Sequence, residues 1–258
     1  MNWKAIIVVI VALLVVGVAL KPLEGPIWEE MREREPALRM EDLEAALGQG
    51  GTIGLLGGFR AVVADMLWLR TNAVWVAQET AVIPATETLI RLTTTVDPRP
   101  VYFWLNGSRM IAYDMAVWRV EEAGGYGEVP EAVVRRYHDE QAETAIRLLQ
   151  RAHEFHEERP EILVEIANIY LRRKEDLEMA IEYYHRAALM DNAPAFAARI
   201  YAELLRRAGR NQEAYVWLKK LYPTLDPTVP QDLAPIVLSR IRELENELNI
   251  PFAERFQP

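Results

Sequence analysis

The chain has no cysteine and only four histidines among its 258 residues. Without cysteine it can form no disulfide, no thiolate zinc site and no iron–sulfur cluster, and it has no cysteine nucleophile. Basic residues are also in deficit, with 29 Lys and Arg against 38 Asp and Glu and a formal net charge of −9. Because an acidic surface repels phosphate backbones, we do not expect nucleic acid as a partner.

Motifs for other chemistry are also missing. The sequence has no GxSxG nucleophile elbow, and no pair of carboxylates is singled out for acid–base work. His153, His156 and Glu157 lie at helical spacing in HEFHE, but no further ligand is near them, so an exposed polar face is favoured over a metal site. We therefore predict no catalytic residue, no metal, no cofactor and no small-molecule substrate.

The glycine-rich stretch GQGGTIGLLGG, residues 48–58, is not typical of a phosphate-binding loop. A nucleotide loop needs a preceding strand and, in the P-loop case, a lysine and a hydroxyl at its end. Here a helical pattern precedes the glycines and Phe59-Arg60 follow them. We interpret the stretch as a turn or a place of close packing.

Residues 5–20, AIIVVIVALLVVGVAL, are an uninterrupted apolar run between Lys4 and Lys21. Sixteen helical residues span roughly 24 Å, and snorkelling lysines can extend that to a bilayer core of roughly 30 Å. The run predicts a transmembrane anchor over residues 1–22. The alternative is a cleaved signal peptide, because Gly17-Val18-Ala19 has small residues at a suitable spacing.

Orientation follows from the position of the run rather than from charge. Lys4 opposes Lys21, Arg32 and Arg34, which does not favour a cytoplasmic N-terminus, but long domains translocate largely regardless of charge. We expect the body to be extracytoplasmic on a bacterial inner membrane. Residues 23–50 are predicted to be an acidic stalk and a glycine-rich turn, since residues 24–44 hold eight acidic side chains.

From Phe59 onward the pattern is helical, and no stretch favours a strand. In FRAVVADMLWLRTNAVWVAQE, Trp68 and Trp75 share one helical face. That spacing favours a packing seam; the alternative is that Arg60, Trp68 and Trp75 belong to a partner-facing or membrane-facing surface. Further helices are predicted over residues 84–96, 101–120, 131–158, 161–173, 177–190, 195–208, 212–221 and 231–248, with a loop over 123–130.

The chain also repeats itself. Ala145, Ala180 and Ala214 open similar helices, TAIRLLQRA, MAIEYYHRA and EAYVWLKKL, at steps of 35 and 34 residues. A small residue is needed there because two helices of a hairpin cross closely. A proline follows each of these helices, at Pro160, Pro194 and Pro227.

These features resemble tetratricopeptide repeats (TPR), 34-residue helical hairpins with an aromatic residue in the first helix, an alanine opening the second and a proline afterwards. Residues 161–228 match as two units, with Tyr170 and Tyr201 as the aromatic residues, and residues 51–160 resemble degenerate units. The chain also resembles an uncharacterised group of membrane-anchored bacterial repeat proteins, through its segments GGFRAVVADMLWLR, DPRPVYFW and AYDM. This resemblance implies no activity.

The resemblance implies an α-solenoid closed by a C-terminal capping helix and tail over residues 229–258, with a groove lined by the first helices. The groove residues would be Asn168, Arg172, Arg199, Glu203 and Arg206. Repeat domains that clamp a peptide carboxylate carry asparagine and basic side chains there, so an anionic or C-terminal peptide is one hypothesis. The alternative is that these arginines form helix-surface ion pairs with Glu165 and Glu203.

Two functions remain open from the sequence. The first is a membrane-anchored scaffold or adaptor that holds a protein partner or assembles an envelope or membrane complex. The second is an integral accessory subunit of a large membrane protein complex, in which the glycine-rich stretch and the Trp-rich helix of residues 52–79 contact other subunits.

Overall fold

The computed structural model describes Val15, residues 59–226 and residues 228–258. The regular elements of these residues are helices, which confirms the all-α prediction. The predicted anchor, stalk and glycine-rich turn, apart from Val15, lie outside the described residues. Within the described part, no helix combines the length and apolar character needed to span a bilayer. The described residues divide into two compact units, the first ending at Gly107 and the second beginning at Ser108.

The first unit is built on a helical pair. Helix α1 covers Arg60–Trp75 and packs on α2, Ile83–Val96, after a 3₁₀ turn at Thr80–Val82. Its buried apolar residues include Leu67, Ile90, Leu92 and Val96.

Polar groups in this unit are satisfied locally. Thr93, Thr94 and Thr95 are buried, and their hydroxyls donate to the carbonyls of Leu89, Ile90 and Arg91, one turn back. This back-bonding lets a threonine run occupy a buried helix end, because each hydroxyl finds an acceptor within its own helix.

The DPRP turn ends α2 and starts α3, Val101–Arg109. Asp97 is 2% exposed and accepts a bidentate pair of hydrogen bonds from Arg99, at 2.7 and 2.9 Å. The indole of Trp104, which is fully buried, donates to the Pro98 carbonyl at 2.8 Å. The proline-containing turn is therefore held by side chains rather than by a continuing helix.

The second unit begins within a continuous helix. The helical backbone that starts as α3 passes through a π-helical segment, Met110–Met115, into α4, Ala116–Glu122. After the loop of residues 123–130 come α5 (Glu131–Phe155), α6 (Pro160–Ile169) with a π-helical segment (Tyr170–Lys174), α7 (Leu177–Ala188), α8 (Ala195–Arg207), α9 (Asn211–Leu221) and α10 (Ala234–Glu247). Short 3₁₀ turns cover Tyr222–Thr224, Pro230–Asp232 and Phe252–Glu254.

Helices of the second unit pack mainly on their neighbours in sequence. From α5 to α10, each helix packs on the next one along the chain. Ala145, Ala180 and Ala214, the repeating small residues, are each 0% exposed. The carboxylate of Asp176 caps α7 by accepting from the Met179 backbone N–H at 3.0 Å, which fixes where this helix begins.

The last helix begins later than predicted. We expected residues 231–248, but Leu233 has a left-handed backbone (φ 51°) and α10 starts at Ala234, with Pro235 in its first turn. Glu245 is one of the charged residues of this helix. It is 0% exposed, and accepts hydrogen bonds from Arg242, the Phe256 backbone N–H and the Tyr215 hydroxyl.

Candidate functional site

A cleft lies between α8 and α10. Both helices border α9, and α9 supplies part of the lining. The cleft has a volume of about 330 Å³. It is lined by Arg199, Ile200, Ala202, Glu203, Arg206, Leu218, Ile236, Val237 and Arg240. We call it the arginine cleft, because three of its lining residues are arginines and one is an acid.

The apolar part of the arginine cleft comes from both sides. Val237 and Leu218 are buried, 1% and 3% exposed, and Ile236 is 51% exposed. An isoleucine that is half exposed beside arginine side chains offers apolar contact next to positive charge. That combination suits a ligand with an apolar body and an anionic end.

Arg206 is largely saturated by carboxylates. Its guanidinium lies 3.2 Å from Glu203, 3.2 Å from Glu247 and 3.7 Å from Glu243. Its Nε is buried and has no hydrogen-bond partner among the described residues. The ion-pair interpretation of the sequence therefore describes Arg206 better than a clamp does, since three acids surround it.

The other two arginines of the cleft belong to different helices, Arg199 to α8 and Arg240 to α10. Arg199 donates from Nη1 to the Asp232 carbonyl at 3.1 Å, which ties α8 to the 3₁₀ turn before α10. Arg240 is 44% exposed and donates from Nη1 to Glu243 at 2.6 Å. That hydrogen bond lowers the pKa of Glu243, so this carboxylate stays ionised beside the guanidinium.

A second group of polar residues lies around α6. Glu165 is 4% exposed and accepts from Nε and Nη2 of Arg109, at 2.9 and 2.7 Å. The sequence paired Glu165 with the groove arginines; the structure pairs it with Arg109 of α3. A buried carboxylate needs such a partner because the ionised form is poorly solvated inside the protein.

Two tyrosines flank the same carboxylate. Burial, with the nearby Glu165 charge, raises the pKa of Tyr113 to about 12, and burial also raises that of Tyr184 to about 12. The Tyr184 hydroxyl donates to Asn168 Oδ1 at 2.7 Å. Arg172 is exposed, and its positive charge lies close enough to both tyrosines to oppose part of the rise in their pKa values. We call these six residues the polar cluster: Arg109, Tyr113, Glu165, Asn168, Arg172 and Tyr184.

The five predicted groove residues thus fall into two places. Arg199, Glu203 and Arg206 line the arginine cleft, whereas Asn168 and Arg172 belong to the polar cluster and do not line the cleft. Both π-helical segments contribute to the polar cluster, through Tyr113 and Arg172. Such segments widen a helix locally and frequently occur at functional sites.

Arg60 and Trp68, two of the three residues of the alternative partner-facing or membrane-facing surface, are buried, and burial of Trp68 agrees with the favoured packing seam. Arg60 is 4% exposed, and it donates from Nε and Nη2 to the Val96 carbonyl at 2.9 and 2.7 Å. A cation at the last carbonyl of α2 caps that helix and complements its dipole. Trp68 is 7% exposed and contacts Phe103, with ring centroids 5.3 Å apart. Trp75 alone of the three is partly exposed.

The exposed apolar side chains of α1 are different ones. Val62, Met66 and Leu69 are 53%, 52% and 68% exposed, and Val76, which caps the end of the helix, is 69% exposed. Sequence reasoning missed them because apolar residues occur on both sides of this helix, so periodicity did not distinguish an inner face from an outer one.

Ile236 and Arg240 were also missed as cleft residues. The pattern of α10 alone does not show which neighbouring helix each of its faces meets. The signal in the sequence is their spacing of four, which places an apolar and a basic residue on one helical face.

The histidines of HEFHE end α5, and His156 is its C-terminal capping residue. Among the described residues, no group of three or more His, Asp or Glu side chains is placed to hold a metal ion.

Comparison with known proteins gives no relative: no protein-family model matches the chain, and no curated protein is significantly similar to it in sequence.

Proposed function

We propose that the protein is a membrane-anchored scaffold whose helical hairpins form a TPR-like α-solenoid and hold a segment of a protein partner. The anchor is residues 1–22 and the body is extracytoplasmic on a bacterial inner membrane. Support for the solenoid comes from the sequential packing of α5 to α10 and from the buried alanines at repeat spacing. In such arrays each hairpin completes the core of the one before it.

The arginine cleft is the observation on which the binding proposal rests. Its volume of about 330 Å³ accommodates one or two side chains, and its lining combines apolar residues with three arginines. The ligand with this chemistry is the C-terminal end of a protein that finishes in an apolar residue. The side chain would contact Ile236, and Arg240 with Arg199 would bind the carboxylate.

The test is co-purification of the full chain from native membranes, with partners quantified by mass spectrometry. We expect Ile236→Ser and Arg240→Ala to lose a partner that the unchanged chain retains. Both side chains are at least 44% exposed, so the fold should tolerate these substitutions. Arg207→Ala is the matched control, because Arg207 is an exposed arginine of α8 that does not line the cleft.

The chemistry of the ligand is then tested with a synthetic peptide of the captured partner's C-terminus. A free carboxylate should bind about tenfold or more tightly than the amidated peptide, because amidation removes the charge that arginine binds. Equal binding of the two forms, or equal capture by all three variants, would reject the cleft as the binding site.

The accessory-subunit hypothesis is favoured by the exposed apolar residues of α1, which are typical of a protein contact. Mild solubilisation followed by native-size analysis separates the two functions. A stoichiometric complex of high mass would support the subunit, whereas capture that depends on the arginine cleft would support the scaffold.

A further inference from the structure

Helix α1 and its C-terminal capping residue, Val76, carry an apolar stripe on their exposed side, formed by Val62, Met66, Leu69, Ala73 and Val76. The four larger residues are 52–69% exposed and Ala73 is exposed as well. The opposite side, which includes Val63 and Leu67, is buried in the first unit. Single exposed apolar residues are ordinary, but a continuous row of them on a helix surface is not. We therefore expect the exposed side of this helix to pack against another surface.

The spacing of the apolar stripe is that of a coiled-coil seam. Its members follow one another at steps of four, three, four and three residues, which is the alternation of d and a positions in a heptad repeat. In this register Leu69 occupies a d position and Met66 an a position. The stripe is short, but packing against α2 already holds the helix in place, so association does not have to order it.

The charged residues beside the stripe indicate which helix would have complementary charges. Asp65 precedes the a position and is therefore at g, and Arg70 follows the d position and is at e. Both are exposed. In a parallel pair, g of one helix meets e of the next heptad on the other helix, five residues on. Asp65 and Arg70 are separated by five residues, so a second copy of α1 supplies the opposite charge on both sides.

An antiparallel pair would not have this complementarity. There, g faces g and e faces e, so two aspartates and two arginines would be opposed, which disfavours that arrangement. From the heptad spacing and the charge register, we propose that the apolar stripe is the seam of a parallel homodimer of this chain, with Asp65 of each protomer paired with Arg70 of the other.

Cysteine cross-linking of the full chain in membranes tests the proposal directly. The chain has no cysteine, so each introduced thiol is unique. Parallel helices place identical seam residues side by side within disulfide reach, so Val62→Cys and Val76→Cys should each form covalent dimers on oxidation. An antiparallel pair would instead cross-link only when the two variants are mixed, and that result would overturn the proposal.

Ala61→Cys is the matched control. Ala61 is exposed and belongs to the same helix, but it lies outside the seam. It should give little covalent dimer. Equal cross-linking at positions 61, 62 and 76 would indicate random collision in the membrane and would also overturn the proposal.

Charge reversal tests the pairing independently of cross-linking chemistry. Asp65→Arg and Arg70→Asp should each lower the dimer fraction about fivefold, because each places like charges opposite one another. The double variant D65R/R70D should restore dimerisation. A chain that is monomeric in native-size analysis, or a double variant as weak as the single ones, would show that another protein, lipid or this chain itself covers the stripe.

Discussion

Glu165 is a carboxylate inside the second unit, and Arg109 supplies its charged hydrogen bonds. We expect Arg109→Ala to lower the free energy of unfolding by about 2 kcal/mol, because it leaves a buried acceptor without its charged partner. Denaturant unfolding of the full chain in mild detergent, followed by circular dichroism, measures this.

An exposed ion pair provides the comparison. Arg135 and Glu131 are 62% and 88% exposed and lie 3.2 Å apart on α5. Arg135→Ala should cost less than about 0.5 kcal/mol, since water screens this pair. Equal losses in the free energy of unfolding for Arg109→Ala and Arg135→Ala would show that the burial of Glu165 does not strengthen its ion pair.

Arg60 is a second residue whose hydrogen-bond partner the local sequence pattern does not predict. From the sequence, this arginine had, with Trp68 and Trp75, an alternative place on a partner-facing or membrane-facing surface. Its guanidinium instead binds the Val96 carbonyl, 36 residues away in the sequence. No spacing rule within one helix predicts an acceptor on another.

Between elements, Gly107 marks a close approach of α3 to α2. A Cβ built at Gly107 would lie 2.5 Å from Cγ2 of Ile90. We expect Gly107→Ala to destabilise the protein by about 1–2 kcal/mol, because overpacking outweighs the gain of about 1 kcal/mol in helix propensity. Thermal unfolding of the full chain should show the loss.

A double-mutant cycle identifies the cause of that loss. Ile90→Ala removes the methyl group that the new Cβ would meet, so it should cost at least about 1 kcal/mol less in the Gly107→Ala background than in the unchanged chain. If the losses in stability of Gly107→Ala and Ile90→Ala simply add, the destabilisation by Gly107→Ala does not come from its contact with Ile90.

Helix boundaries were the part of the fold that local sequence predicted well. Residues 84–96 were predicted and Ile83–Val96 is observed, because proline opens this helix and the DPRP turn closes it. Residues 195–208 correspond likewise to Ala195–Arg207. Two boundaries differ by three residues: α5 ends at Phe155 rather than at residue 158, and Pro235 with the left-handed Leu233 delays the start of α10 to Ala234.

For the molecule as a whole, alkaline pH should destabilise the second unit. The pKa values of Tyr113 and Tyr184 are raised from 10.0 to about 12 in the folded protein. The unfolded chain therefore loses these protons first. Their contribution to stability is complete below pH 10 and is lost as pH rises from about 10 to about 12.

The double variant Tyr113→Phe and Tyr184→Phe should have a shallower fall in melting temperature over this pH range, because phenylalanine has no proton to lose. Tyr126→Phe is the control, since Tyr126 is 51% exposed in the loop of residues 123–130. If the double variant and the control follow the same pH dependence as the unchanged chain, the two buried hydroxyls are not its cause.

Periodicity, proline and composition act locally, so they were enough to predict the helical class, most helix boundaries and the lack of cysteine chemistry. Tertiary structure alone decided which residues share a site. Arg199 and Arg240 line one cleft from different helices, and Arg109 reaches a carboxylate 56 residues away. Those contacts depend on how helices pack on one another, and a helical pattern records which residues share a face but not what that face meets.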